Sequence, residues 1–396
     1  MASTDRHPLR VTPFELASGI VVGEAPAAAR PEIGPGGSTP REALEAAILP
    51  ALRRPPCVVS FSGGLDSSLV LAVAARLAER EGLAPPVPVT LTVPSAPAAE
   101  ESWWQRRVVY HVGLVDEWVQ LAFAEGELDW IGPVAEPVLR RHGVLMPPNA
   151  FMHAPLLERA RGGSLLTGVG GDNLLTGWTG RRASEALARR VRPQPRDLLR
   201  VAFAYGPAEV RALVLRLRVE APEWLTPAAR EEAVRRLAGE GASEPARWDR
   251  RVRWAARRRR LAAIRWSLGL LGADTDTRLF HPLCDPGFAY ALGRAGGRGG
   301  LGDRNAIVGA IAGDALPDEL LLRPDKALFH EVLYSTRFRA FVAEWAGEGV
   351  DAELVDRAAL AAEWHKDVPH VHSAMLVQAA WLSAQGGEPV DDGAER

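Results

Sequence analysis

Cysteine is almost missing from this chain: Cys57 and Cys284 are its whole complement in 396 residues, and neither sits in a CxxC or Cys/His spacing. Neither a disulfide framework nor a zinc site is supported, and a reducing compartment is the plain expectation. Long apolar runs are missing too. No stretch approaches the ~20 apolar residues of a membrane span, and the start, Met1 to Pro8, has no signal-type apolar core. The expectation is a cytoplasmic protein with no membrane partner. Net charge is nearly absent: 47 Lys and Arg against 49 Asp and Glu leave −2, so no global field draws the chain to nucleic acid. No internal repeat is visible. What remains is ordinary globular composition, 47% hydrophobic and 24% charged, enough for one large or two medium domains.

The organisation follows from texture. Ala25 to Pro40 is rich in Ala, Pro and Gly and reads as a linker, preceded by a strand pair or extended arm around Phe14 to Val22. Cys57 to Phe61 is a short β-branched run after Pro55-Pro56 and suits a buried parallel strand. Ser67 to Arg80 has helical spacing, Val87 to Val93 reads as a second strand, Glu101 to His111 as a helix, Glu117 to Phe123 as a third strand and Ser164 to Thr167 as a fourth. This β-α-β-α rhythm predicts an α/β fold with a parallel, doubly wound sheet and helices on both faces. Past Arg181 the strand signals fade, and Arg196–Arg218, Pro227–Ala238, Pro245–Leu271 and Asp303–Ile311 read as helices. The expected division is an arm and linker at 1–45, an α/β domain at 46–190, a mainly helical part at 191–385 and a flexible tail at 386–396.

Chemistry is concentrated in Ser62-Gly63-Gly64-Leu65-Asp66-Ser67-Ser68, between the first strand and the first helix. The glycines let the backbone turn tightly and bring N–H groups to a phosphate, while Ser62, Ser67 and Ser68 add hydroxyls and the helix end adds positive partial charge. Asp66 is out of place beside phosphates unless it holds a cation, which implies Mg²⁺. The bland alternative is a Gly-rich turn with a capped helix, and the full S-G-G-x-D-S string outweighs it. The string resembles the PP-loop of the ATP pyrophosphatases; that resemblance implies a Rossmann-like (HUP) fold and ATP cleaved between its α and β phosphates.

Three further strings carry a closer resemblance, to the synthetase domain of the asparagine synthetase family. Thr167-Gly168-Val169-Gly170-Gly171-Asp172-Asn173-Leu174-Leu175 is similar to that family's G-x-G-x-D-E-L-F. It implies that Asp172 is a second Mg²⁺ carboxylate facing Asp66, and that Gly168 and Gly170 admit the adenylate. The family's Glu after this Asp is Asn173 here. Leu316 to Leu320 followed by Arg323-Pro324-Asp325-Lys326-Ala327-Leu328-Phe329 resembles L-P-x-x-[hydrophobic]…R-x-K-x-x-F, which implies that Lys326 neutralises charge at the α-phosphate. Thr277 to Asp285 stands in place of E-x-R-x-P-F-L-D with a spacing two residues longer, the amine-orienting Glu falling near Asp276. The His281-Pro282-Leu283 form, with Gly302-Asp303-Arg304 downstream, is similar to the macrolactam cyclases of lasso-peptide biosynthesis.

The resemblance, over roughly residues 50–385, implies an ATP- and Mg²⁺-dependent ligase that makes an acyl-AMP and passes it to an amine. The carboxylate and amine are small molecules or a precursor peptide, with a separate peptide-binding or protease partner conceivable. Residue 2 is Ala and only about sixty residues precede the PP-loop, so no glutaminase with an N-terminal cysteine is expected. A tRNA-modifying PP-loop ligase and a catalytically altered binding protein stay open as alternatives. Arg247 to Arg260 reads as a solvated basic helix face pairing with surface acids, with a nucleic-acid or acidic-peptide site as the alternative, and Trp103-Trp104 reads as packing.

Overall fold

The computed structural model describes residues 7–29, 39–96, 102–178, 180–187, 189, 191–322 and 330–386. Five strands form one sheet: β1 (Cys57–Ser60), β2 (Val87–Thr92), β3 (Val119–Ala122), β4 (Ser164–Leu166) and β5 (Arg278–Phe280). Every pairing is parallel and the order is β3-β2-β1-β4-β5. The direction of winding therefore reverses between β1 and β4. In open parallel sheets that reversal leaves a crevice outside the carboxyl ends of the two strands, where ligands bind.

Alternation along the strands explains the two-sided burial. Val58 and Leu165 face a core shared with Ala263, Ile264 and Leu268. Their neighbours Cys57, Val59 and Leu166 face a second core built with Leu69, Val73, Val252, Phe288 and Ile307. Successive side chains of a strand point to opposite faces, so a sheet covered on both sides needs apolar residues at every position.

The helices follow their local signals. The first, α1 (Pro13–Ser18), stands in place of the strand pair or extended arm expected around Phe14 to Val22. Thr12 accepts from the Glu15 N–H and Glu15 accepts from the Thr12 N–H, a reciprocal cap that outweighs the apolar, β-prone residues after it. Next, α2 (Pro40–Leu52) starts on the same device, Thr39 with Glu42. Then α3 (Leu65–Glu81) runs from Gly64 to a left-handed Gly82 and buries Leu69, Val70, Val73 and Leu77, and α4 (Ser102–His111) adds Val108 and Val109 to the same core. Arg196–Arg218 is split into Pro195–Tyr205 and Ala208–Arg216 by Gly206-Pro207, and the basic run is split into Trp248–Ala256 and Arg259–Ala273.

Two expectations about the second half need correction. The sheet is not confined to residues 46–190, because its fifth strand comes from residues 278–280. Nor is the basic run a uniformly solvated face. Trp248, Arg251 and Arg258 are buried, and the arginines meet acids: Arg251 with Glu244, Arg258 with Glu24 and Glu240, and Arg259 with Glu15.

Candidate active site

Two loops meet at the β1/β4 crevice. After β1, Gly63 takes a left-handed φ of 86° and turns the chain onto α3, a step only glycine makes without strain. The loop is held from within. Ser67 Oγ accepts from the Ser62 N–H at 3.3 Å and donates to the Gly64 carbonyl at 3.1 Å, and Ser62 Oγ lies 3.1 Å from Ser67 Oγ. From α4, Gln105 donates to the Ser62 carbonyl at 2.9 Å. No side chain caps α3 at Gly64, so the positive end of a 17-residue helix opens into the crevice.

The loop after β4 lies directly on this one. A Cβ at Gly168 would stand 3.0 Å from the Ser67 nitrogen, and one at Gly171 only 2.0 Å from the Asp66 carboxyl carbon. Gly170 has φ 101° and lies so close to Cys284 that a Cβ there would be 2.5 Å from its sulfur. Below, His281 Nδ1 is 2.7 Å from Thr167 Oγ1. Burial, then the charges of Arg265 and His153, push His281 down to about 3, so it is neutral and fixes the base of the loop. Beyond the loop, buried Arg251 donates to the Leu174 carbonyl and to Thr176 Oγ1, both at 3.3 Å.

The centre of the arrangement is a three-residue charge cluster. Arg304 Nη2 donates to Asp66 Oδ2 at 2.6 Å and its Nη1 donates to Asp172 Oδ1 at 2.7 Å. One guanidinium thus bridges both carboxylates. Burial works against the charge on Arg304, but Asp66 and Asp172 outweigh it and hold the group above its ordinary value. The carboxylates differ in setting, with the Asp66 side chain 14% exposed and that of Asp172 71% exposed. Arg260 stands within electrostatic reach of Asp172 from the next helix.

This cluster fits a divalent cation. Two carboxylates already converge on one positive charge, and Mg²⁺ asks for one or two carboxylates plus phosphate oxygens rather than an all-protein cage. No group of three or more His, Cys, Asp or Glu side chains suited to a metal occurs among the described residues.

Of the expected site residues, Ser62, Gly63, Gly64, Asp66, Ser67, Gly168, Gly170 and Asp172 are brought together. Ser68 is not a hydroxyl of the loop mouth: its side chain is fully buried beneath it, with no hydrogen-bond partner for Oγ among the described residues. Asp276 is a clear correction. It precedes β5, at the amino-terminal ends of the parallel strands rather than the carboxyl ends that carry Asp66 and Asp172, and there it is exposed and contacts Arg54. The two extra residues in that stretch are spent on a turn before the strand, with Asp276 itself at φ 48°. Lys326 lies outside the described residues.

Arg304 was missed as a site residue, although its place in the sequence offered a signal. It is the first residue of the helix Arg304–Ala312, capped by Asp303, and a cation at a helix N-terminus is opposed by the dipole. An arginine there is held by something else.

The order of strands, the reversal at β1/β4 and the paired loops define a Rossmann-like α/β protein of the nucleotide-binding kind. Comparison with known protein families matches residues 40–385 to the family described as asparagine synthase, and the chain belongs to it. Membership makes it, at the level of the family, an ATP-dependent amide-forming ligase. A search of the curated proteins finds no match. Among the described residues no helix is long and apolar enough to cross a membrane.

Proposed function

We propose that the protein activates a carboxylate with MgATP as its acyl-AMP ester and transfers the acyl group to an amine, giving asparagine or a macrolactam of a peptide or natural product. The observation that carries this reading is the bridging of Asp66 and Asp172 by one cation at the β1/β4 crevice, between the two glycine loops. A carboxylate oxygen attacks the α-phosphorus and pyrophosphate leaves. The amine nitrogen then attacks the acyl carbon, AMP leaves, and the amine proton passes to solvent or a base.

Each part of the chain has a task in this scheme. Backbone N–H groups at Gly63 and Gly64, with the Ser62 and Ser67 hydroxyls and the open end of α3, bind the pyrophosphate moiety. Asp66 and Asp172 would hold Mg²⁺, which when bound neutralises the phosphate charge. Gly168 and Gly171 keep the second loop free of side chains where it lies against the first. Lys326 supplies positive charge at the α-phosphate, an electrostatic role that commonly contributes a few kcal/mol.

The test is release of AMP and pyrophosphate with candidate carboxylates and amines. Asp66→Asn and Asp172→Asn should each abolish it with the fold intact by circular dichroism. Lys326→Met should leave ATP affinity nearly unchanged while turnover falls roughly a hundredfold. Near wild-type turnover in either aspartate variant defeats the reading.

A further inference from the structure

Among the described residues Arg304 is the cation that bonds both crevice carboxylates, yet its own bonding is incomplete. Two of its N–H groups go to Asp66 and Asp172, while Nε is buried with no acceptor among the described residues. A buried donor left without an acceptor carries a real cost, so this pose is maintained by the two carboxylates against that cost. Its backbone, by contrast, is pinned. Asp303 accepts from the Ala306 N–H at 2.9 Å, and the neighbouring Asn305 donates to the Leu321 carbonyl at 2.6 Å. The side chain is therefore the part free to change partners, by rotation about its own bonds, and it is 28% exposed toward the crevice.

We propose that Arg304 is a resident counter-cation: without nucleotide it occupies the place the two carboxylates offer a divalent ion, and it leaves only when nucleotide phosphates enter. The consequence is an order of binding. Metal and nucleotide arrive together, and metal alone binds poorly. Two like charges cannot share the carboxylates at contact distance, and the guanidinium already satisfies one oxygen of each with a charge-assisted bond. Phosphate oxygens change the balance by offering acceptors for all of the guanidinium donors, Nε included, while the metal takes the carboxylates. The inference uses the ligase reading only in expecting a nucleotide.

The test uses Mn²⁺ as probe on the full-length protein, followed by electron paramagnetic resonance in the absence of nucleotide. Arg304→Gln should bind Mn²⁺ roughly tenfold more tightly than the wild type, the loss of two charge-assisted bonds setting the scale. Arg260→Gln removes the same charge near Asp172 without breaking a bridge, and should gain far less. Combining Arg304→Gln with Asp66→Asn should erase the gain. Arg304→Lys, whose point charge cannot fork, should fall between and serves if the glutamine variant does not fold.

With a non-hydrolysable ATP analogue present, the wild type should match Arg304→Gln in Mn²⁺ affinity, because the counter-cation has left. Equal Mn²⁺ affinity of wild type and Arg304→Gln without nucleotide would overturn the proposal, as would an equal gain in Arg260→Gln. If no variant binds nucleotide, the ligase reading falls, and the metal-only comparison still decides this one.

Discussion

A methyl group placed at residue 171 probes how the two loops set the carboxylates. The Cβ of Gly171→Ala would lie 2.0 Å from both Cγ and Oδ2 of Asp66, and 2.4 Å from Oδ1. Ordinary carbon contacts sit at about 3.5–4.0 Å, so the Asp66 carboxylate has to retreat by about 1.5 Å. That retreat breaks its 2.6 Å bond to Arg304. Overpacking of this kind costs about 1–3 kcal/mol, and a lost charge-assisted bond adds a cost of similar size. Thermal unfolding should therefore shift down by several degrees, and the affinity for the Mg²⁺ complex of a non-hydrolysable ATP analogue should fall about tenfold or more by calorimetry. Gly239→Ala is the matched control. It lies in the helix Pro227–Ser243 with nothing within 4 Å of the new Cβ, and should be neutral or stabilise by up to about 1 kcal/mol. A Gly171→Ala protein with wild-type melting temperature and affinity would refute the reasoning, because the loops would then have slack that their contact distances deny.

Asp276→Asn should leave turnover and ATP affinity unchanged, since the residue is exposed at the amino-terminal end of the strands, away from the crevice; a large loss of turnover would restore it to the site. Ser68→Ala should bind ATP as the wild type does, whereas Ser67→Ala, which removes the contacts to Ser62 and Gly64, should weaken binding. Melting temperatures should fall as pH drops below about 6.5, because His281 is held at about 3 in the folded protein, and the unfolded chain then binds the extra proton. The loss continues until the pH reaches about 3, and His281→Gln should flatten part of that slope.

Much of this site was legible in sequence because its parts are local. A β-branched run, two glycines and a helical repeat place Ser62 to Ser67 at a strand-to-helix turn by proximity alone, and Thr167 to Asp172 repeats the logic after β4. Burial within a helix is less local: Ser68 has the same chemistry as Ser67 and both are buried, and only the packing of α3 separates the hydroxyl that bonds Ser62 and Gly64 from the one sealed beneath it. Asp276 failed because counting residues across an insertion says nothing about which edge of a sheet receives them. β5 was overlooked as a strand because three residues carry too little periodicity, and its identity comes from pairing with β4. Arg304 shows locally only that a cation sits at a helix N-terminus; its partners, 132 and 238 residues away, are what no local pattern encodes.

That distance has a consequence for how the protein comes into being. Arg304 lies 238 residues after Asp66 and 132 after Asp172. At typical synthesis rates the ribosome needs on the order of 10–50 s to travel from the first to the last. During that interval the carboxylates have no arginine to share, and β4 presents a bare edge where β5 will pair. The core that seats α2 and α3 is also half empty, because Val252, Phe288, Ile307 and Ile311 are still to come. Non-local closure of this kind is slow and leaves apolar surface exposed while it waits. The nascent chain is thus most vulnerable between residues 170 and 312, the interval before Arg304 and the rest of this core are in place.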